Sequence, residues 1–525
     1  MDRETMTDLP LLTIVVALPI LGALVALILP RAAVWWWALL VALLDLAAAL
    51  GIFARFQTSK AGYQIAESYR WLPEAGINWT LGVDGLNLFL IILNALLAIL
   101  AIAASQRVAR DGDRVRQYFM LMLLLSGGMQ GVFLATNLAL FYVFWEVMLV
   151  PAYLLVGMYG GPRRAYAAIK FVLYTAVGSL LMLIAIIVVA SLANDRGAGV
   201  TFDLPKLIAT GVPEGAQLWL FLAFAAAFAV KAGLFPLHSW APDAYSEAPT
   251  AVVVLIAGVM AKTGAYGFLR FCLPLFPVAV KQAAPVIGVL AVIGILYFAL
   301  QALIADDMQR LLAYVSLSHM GVILLAIFAF NAQAYDGAVM QMVNHGIIIG
   351  ALFLIVGAFE ARTGSRKLSE FGGLAKRLPL LATAFMIVSL AALGLPGLNS
   401  FAGEFLALLG AFRANWWLGA LATLVVIPAA WYMLRFFQGM MFGPDVKPAA
   451  TAASVRDIGW LDGLILAPLL ALIVLLGLFP SILTARIEPS ITSPVSITAI
   501  QTPAGAQITL PSRADTLCGT QEATR

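Results

Sequence analysis

The sequence predicts an all-α polytopic membrane protein of about fourteen transmembrane helices, and three observations predict it. Of 525 residues, 62% are hydrophobic and only 11% charged, with a mean hydropathy of +0.97, whereas a soluble domain carries about 25% charged residues. Apolar runs of about 18 or more residues, each enough for a helix to cross ~30 Å of hydrocarbon, recur from residue 11 to residue 484 and leave no length for a sizeable soluble domain. The ~10-residue alternating strands of a membrane β-barrel are not visible.

Taken in order, the spans fall near 11–29, 33–53, 86–104, 117–135, 138–158, 168–193 and 217–235. Seven more fall near 250–272, 284–304, 310–330, 336–360, 378–410, 416–438 and 462–484. The first is read as a retained span, because Met1–Pro10 is as acidic as it is basic and no small-residue cleavage site follows Pro30. Residues 485–525 are rich in Ser, Thr, Pro and Ala without an apolar period, and read as a polar flexible tail.

Basic residues set the orientation. Loops after odd-numbered spans hold Arg31; Arg107, Arg110, Arg114 and Arg116; Arg163 and Arg164; Arg310; Arg362, Arg366, Lys367, Lys376 and Arg377; and Lys447 and Arg456. Loops after even-numbered spans are poorer: Arg55, Lys60 and Arg70, then Arg196 and Lys206, then Lys281. Both termini are therefore expected outside the cytoplasm. A net charge of +4 reads as these basic loops on a lipid bilayer, not as a surface for nucleic acid. The two cysteines, Cys272 and Cys518, offer no metal-ligand spacing and no iron–sulfur framework, and there is no Gly-rich phosphate loop. Neither a metal nor a cofactor site is expected on this chain.

Two spans are broken alike. The first reads Val230-Lys231-Ala232-Gly233-Leu234-Phe235-Pro236-Leu237-His238, the second Leu393-Gly394-Leu395-Pro396-Gly397-Leu398-Asn399-Ser400. Pro and Gly inside a span free backbone carbonyls that lipid cannot satisfy, so such breaks sit where protein or water lines them. One break can be an ordinary proline kink. Two in corresponding positions point to internal repeats and a transport site.

Away from loops and span ends, the ionisable residues are Lys170, Lys231, Lys262 and Arg413, with Asp45, Glu146 and Glu404, and Asp243 and Glu247 beside the first break. All three histidines, His238, His319 and His345, fall in spans or at a break. At a helix centre an Asp, Lys or Arg costs ~2.5–3.5 kcal/mol on insertion scales. A stable ion pair accounts for one or two such residues, not for a series. Lysine releases its proton more readily when desolvated and holds it when a carboxylate approaches. Glu146, in Phe144-Trp145-Glu146-Val147, is the expected partner of Lys231, and Lys262 then takes the proton. His319 and His345 suit relay duty near neutral pH, and Glu404, just after the second break, ends the path. His238, Asp243 and Lys170 read as supporting polar residues near the first break. Blander readings stand beside these. A lone intramembrane His is commonly a packing residue, Lys170 near a span start can snorkel to the interface, and Asp45 can simply join helices.

The runs Val230–Ala244 (VKAGLFPLHSWAPDA), Ser316–Gly321 (SLSHMG), Phe144–Val147 (FWEV) and Gly394–Glu404 (GLPGLNSFAGE) resemble the antiporter-like proton-pumping subunits of complex I. That family also holds subunits of multi-subunit cation/proton antiporters and membrane-bound hydrogenases. The resemblance runs from the first span to the last. It implies two inverted five-helix repeats, each with a broken helix, at 117–272 and 284–440. Three helices in 1–116 precede them, and a lateral loop with the last helix in 441–484 follows. Glu404 stands where chain 2 and chain 5 relatives typically carry Lys, which resembles chain 4, subunit M; the stretches 165–171 and 341–346 fit that type.

By this resemblance the proton-path roles fall on Glu146, Lys231, Lys262, His319, His345 and Glu404. The implied function is proton translocation within an NAD(P)H- or ferredoxin-driven quinone oxidoreductase. Chains 2 and 5 are the expected flanking subunits, in a bacterial inner (plasma) membrane or a thylakoid membrane. Quinone, flavin and iron–sulfur clusters are expected in partner subunits. The stretch Arg435–Gly439 is similar to cyanobacterial or chloroplast-type complexes (NDH-1), including a CO2-uptake form. Two rival classes stand beside this: a cation/proton antiporter or hydrogenase subunit, and a non-transporting scaffold that only bridges pump modules.

Overall fold

In hydrocarbon every backbone N–H and C=O must find a partner within its own segment, and this chain meets that demand with helices. The computed structural model describes residues 9–111, 114–443 and 456–492. Helices α1 (Leu11–Ile28) and α2 (Arg31–Arg55) are followed by a β-hairpin, β1 (Ile65–Leu72) paired antiparallel with β2 (Ile77–Val83). Then come α3 (Leu88–Ala104), α4 (Val115–Leu134), α5 (Leu138–Tyr159) and α6 (Arg164–Ala193). Next are α7 (Glu214–Ala232), α8 (Trp240–Glu247), α9 (Thr250–Leu275), α10 (Pro277–Ile304), α11 (Met308–Ile327) and α12 (Ala332–Thr363). The described chain closes with α13 (Pro379–Ala392), α14 (Asn399–Ala414), α15 (Trp416–Met441), α16 (Trp460–Leu478) and α17 (Ser481–Thr492). Among the described residues, twelve helices are long and apolar enough to cross a membrane, and the shorter apolar helices α3 and α13 occupy the two other places where spans are expected.

The run 378–410 is two helices separated by the turn at 393–398, where its break was expected. Two expectations are corrected. The hairpin was not legible as strands; its Glu67 reaches back to cap α1, accepting from Leu12 N at 2.8 Å and Thr13 N at 3.0 Å. Residues 485–492, expected in the tail, continue helix α17 with Ile487 fully buried; the rest of the tail lies outside the described residues.

Both breaks are built the same way. At the first, Leu234 N bonds Ala229 O and Gly233 N bonds Val230 O; at the second, Leu395 N bonds Leu390 O and Gly394 N bonds Ala391 O. These are the 6→1 and 5→2 bonds of a Schellman cap, which needs a left-handed residue. Gly233 (φ +72°) and Gly394 (φ +69°) supply it. A second recurrence lies at the starts of α5 and α11. Leu138 N bonds Phe202 O and Leu204 N bonds Thr136 O; correspondingly Met308 N bonds Arg366 O and Leu368 N bonds Asp306 O. The residue before each helix caps it through a side chain, Asn137 and Asp307 respectively.

Burial separates the helices. The apolar windows of α9, α11 and α12 are 100%, 94% and 94% buried within the protein, against 28% for α16. Lys262, His319 and His345 therefore sit on the innermost helices, while α16 turns mostly outward.

Candidate functional site

The first break ends α7 one residue beyond Lys231. A helix C-terminus carries partial negative charge and favours a cation. Lys231 is 1% exposed, and its Nζ lies 4.9 Å from the Trp145 ring centroid and 5.8 Å from that of Phe171. This is a cation–π cradle. Among the described residues, Nζ has no hydrogen-bond partner and no carboxylate within 4.0 Å. Glu146, the residue next to Trp145, is half-buried and accepts a hydrogen bond from Ser179 Oγ, itself 3.4 Å from the Tyr142 hydroxyl. Glu146 and Lys231 are thus electrostatic neighbours across Trp145, not an ion pair.

Lys262 is fully buried on α9. Two π-helical turns, Ile256–Met260 and Phe268–Cys272, bracket it, and such wide turns are common at functional positions. Its Nζ donates to Ala257 O at 2.5 Å. Gly264 brings this stretch onto the first break, since a Cβ there would come 2.5 Å from Phe228 O and 2.8 Å from Ala232 N.

From Lys262 the ionisable groups continue into the second break. His345 is 2% exposed, within electrostatic reach of Lys262, and neither of its ring nitrogens has a hydrogen-bond partner. Its ring stacks on His319 with centroids 5.3 Å apart. His319 Nδ1 lies 2.8 Å from Glu404 Oε1. Gln341 joins this cluster, its Nε2 3.5 Å from the same Nδ1 and donating to Ser400 Oγ at 3.0 Å. Asn344 Nδ2 donates to Asn399 O at 2.7 Å, so α12 grips the second break directly. Of the two histidines, His319 is the one that touches Glu404, and His345 lies against it.

The supporting residues gather at the other end of the first break. Lys170 Nζ lies 2.7 Å from Asp243 Oδ2, and Arg310 Nη1 lies 3.8 Å from Asp243 Oδ1. Lys170 therefore does not snorkel; it ties α6 to α8. His238 stacks on Phe235 at 5.6 Å and meets Phe298 edge-on at 4.6 Å. Glu247 accepts from Arg163 N at 2.9 Å. Asp45 joins helices as the blander reading held, accepting from Gln130 Nε2 at 3.2 Å. Arg413 leaves the intramembrane census, because it is exposed at the end of α14 and donates to Gln333 Oε1 at 2.6 Å.

Residues 135–428 match the family described as NADH:quinone oxidoreductase/Mrp antiporter, transmembrane region. The chain is 40% identical over 495 residues to NADH-quinone oxidoreductase subunit M of Rhodobacter capsulatus, covering 92% of this chain and 95% of that relative. This chain belongs to that family, as a subunit of the M type. Among solved structures, a chain of respiratory complex I from Thermus thermophilus with bound NADH superposes with a TM-score of 0.83 at 36% identity, covering 93% of this chain and 98% of that one. A chain of the Mrp complex from Dietzia superposes with a TM-score of 0.80 at 23% identity, over 94% and 99% respectively, and shares the fold.

In this M-type subunit the sequence reading missed one buried ion pair. Arg270, counted as a span-end charge, is 8% exposed and grips Asp84 bidentately, at 2.7 Å from Nη1 and 2.6 Å from Nη2. Tyr266 and Tyr63 complete its shell at 3.0 and 3.3 Å. A buried Arg leaves no other way to satisfy its charge, so its position inside the last turns of a span was the available signal. Ser179 and Gln341 gave no signal of their own; an isolated polar residue in a helix looks alike whether or not it meets a carboxylate.

Proposed function

We propose that this chain translocates protons as the M-type membrane subunit of an NADH-quinone oxidoreductase, through Glu146, Lys231, Lys262, His345, His319 and Glu404. The observation that carries the reading is that two lysines, Lys231 and Lys262, lie buried without a carboxylate within 4.0 Å. An intramembrane ammonium kept without a counter-ion is costly, and a structural role would select for a permanent pair. Here Lys231 answers to Glu146 through space. Moving Glu146 toward or away from Trp145 changes how firmly Lys231 holds a proton. When Lys231 lets go, Lys262 is the adjoining basic group, and the stacked His345 and His319 lead from it to Glu404.

Moving one charge against the membrane potential takes about 2.3 kcal/mol per 100 mV. No redox group is proposed on this chain, so partner subunits carrying flavin, iron–sulfur clusters and quinone supply that energy, with chains 2 and 5 on either side. Residues 117–272 and 284–440 form the two repeats in this reading, each contributing one broken helix. The chain resides in a bacterial inner membrane with both termini outside the cytoplasm. The test is proton uptake by proteoliposomes holding the assembled complex, followed with a pH-sensitive dye while NADH reduces quinone. Lys262→Ala is expected to leave quinone reduction measurable and remove most proton uptake. Unchanged proton uptake per NADH would overturn the path.

A further inference from the structure

A cavity of about 910 Å³ lies away from the proton path, where α3, α9, α12 and α16 reach the basic side of the fold. That is far more than the roughly 30 Å³ share of a water molecule and within the range of roughly 300–1,000 Å³ typical of ligand pockets. Its walls are graded. Near the helix ends stand Arg107, Arg362 and Arg456 with Glu360, Asp457 and Asp462; deeper in stand Leu354, Ala358, Ile465 and Leu466. Leu354 and Arg362 are eight residues apart on one helix, roughly 12 Å along its axis.

The charges do not cancel evenly. Asp462 is held by Arg362 at 2.5 Å, and Asp457 accepts from the backbone N–H groups of Leu380 and Ile458, each at 2.7 Å. Glu360 faces Arg366 at 3.6 Å. Asp462 and Glu360 are thus ion-paired, while Asp457 keeps its charge against neutral backbone donors. Arg107 donates only to a neutral acceptor, Ala361 O, at 2.6 Å, and among the described residues neither Arg107 nor Arg456 has a carboxylate partner within 4.0 Å. Among the described residues, two guanidiniums thus stand without an ion-pair partner, against the one unpaired carboxylate of Asp457, at the mouth of a crevice whose depth is hydrocarbon. One of its walls is α16, whose outer face is open, with Leu464 58% exposed.

We propose that this crevice binds an anionic glycerophospholipid, its phosphate on Arg107 and Arg456 and one acyl chain along Leu354, Ala358, Ile465 and Leu466. Guanidinium is well matched to phosphate, and basic pockets between membrane helices on this side are a recognised setting for acidic head groups. The grading from charge to hydrocarbon over one or two helical turns selects a lipid over a free anion.

The test uses the whole membrane complex, stripped of lipid in detergent and titrated with phosphatidylglycerol bearing a photoreactive acyl chain. Labelling is expected on the 354–358 and 465–466 stretches. Arg107→Ala/Arg456→Ala should weaken it about thirtyfold, from about tenfold or less per guanidinium. Ala358→Trp, which narrows the apolar depth of the crevice but keeps both guanidiniums, should weaken labelling without touching the head-group site. Full labelling in both variants overturns the proposal. So does protection by inorganic phosphate alone, which would make the ligand a soluble anion, and so does an unlabelled wild-type complex, which would mean that a partner subunit covers the crevice.

Discussion

His319 Nδ1 lies 2.8 Å from Glu404 Oε1 and its ring stacks on His345, so one histidine joins the second helix break to the interior of the subunit. The contact is short enough for direct proton transfer, and Gln341 and Ser400 hold the surrounding geometry. Glu404→Gln preserves the hydrogen bond while removing a group that can accept and release a proton. It is expected to slow proton translocation about a hundredfold, the low end of what a positioned acid–base group contributes. Proton uptake by proteoliposomes checks this. His319→Gln should match it, and a variant pair differing by more than about tenfold would mean that the two do not act in one step.

Ser179 sets where Glu146 rests. Its hydroxyl donates to the carboxylate and keeps it beside Tyr142, away from contact with Lys231. A hydrogen bond to a charged group is worth about 1.5–3 kcal/mol. Ser179→Ala is therefore expected to leave the path intact but shift its balance, changing the proton-translocation rate about tenfold or more in either direction. Glu146→Gln and Lys231→Ala should instead abolish it. Equal and complete loss in all three would make Ser179 a member of the path and not a brake on Glu146.

The membrane spans were legible because long apolar runs have one meaning at this length. The breaks were legible because Gly233, Pro236, Gly394 and Pro396 interrupt such runs, and the identities of Lys231, Lys262 and Glu404 because charge in hydrocarbon is expensive. What the sequence could not carry was partnership. Lys170 meets Asp243 across 73 residues and Arg270 meets Asp84 across 186, and no local pattern marks either pairing. Which histidine touches Glu404 was hidden for the same reason: it depends on which face of α11 looks at α14. The hairpin escaped because it is a short excursion between spans, where alternation over seven or eight residues does not stand out.

The pair Asp84–Arg270 is expected to act on stability. It ties the β-hairpin side of the fold to the last turns of α9, in the same helix as Lys262 but eight residues further on. Asp84→Asn leaves a buried guanidinium without its counter-charge, and breaking a buried pair in this way costs about 3–5 kcal/mol. The variant should lower the melting temperature of the detergent-solubilised complex or the yield of assembled complex. In whatever complex assembles, protons moved per NADH should match wild type. A fully assembled, thermally normal variant with lost pumping would move Arg270 into the proton path.

Asp243 holds two cations and each cation answers differently to its loss. Removing Lys170 as Lys170→Met leaves Asp243 with Arg310 at 3.8 Å and conserves most of the side-chain volume. Removing the charge of Asp243 as Asp243→Asn leaves Lys170 and Arg310 facing each other with no carboxylate between them. The second change should therefore be the more damaging, lowering turnover of the assembled complex by about tenfold more than the first. Quinone reduction and proton uptake measured on both variants decide it. If Lys170→Met proved as severe as Lys231→Ala, Lys170 would carry protons itself instead of anchoring α8. Its side chain is 20% exposed and already paired, whereas Lys231 is sealed and unpaired. That contrast is the physical ground for assigning an anchor to one lysine and a proton carrier to the other.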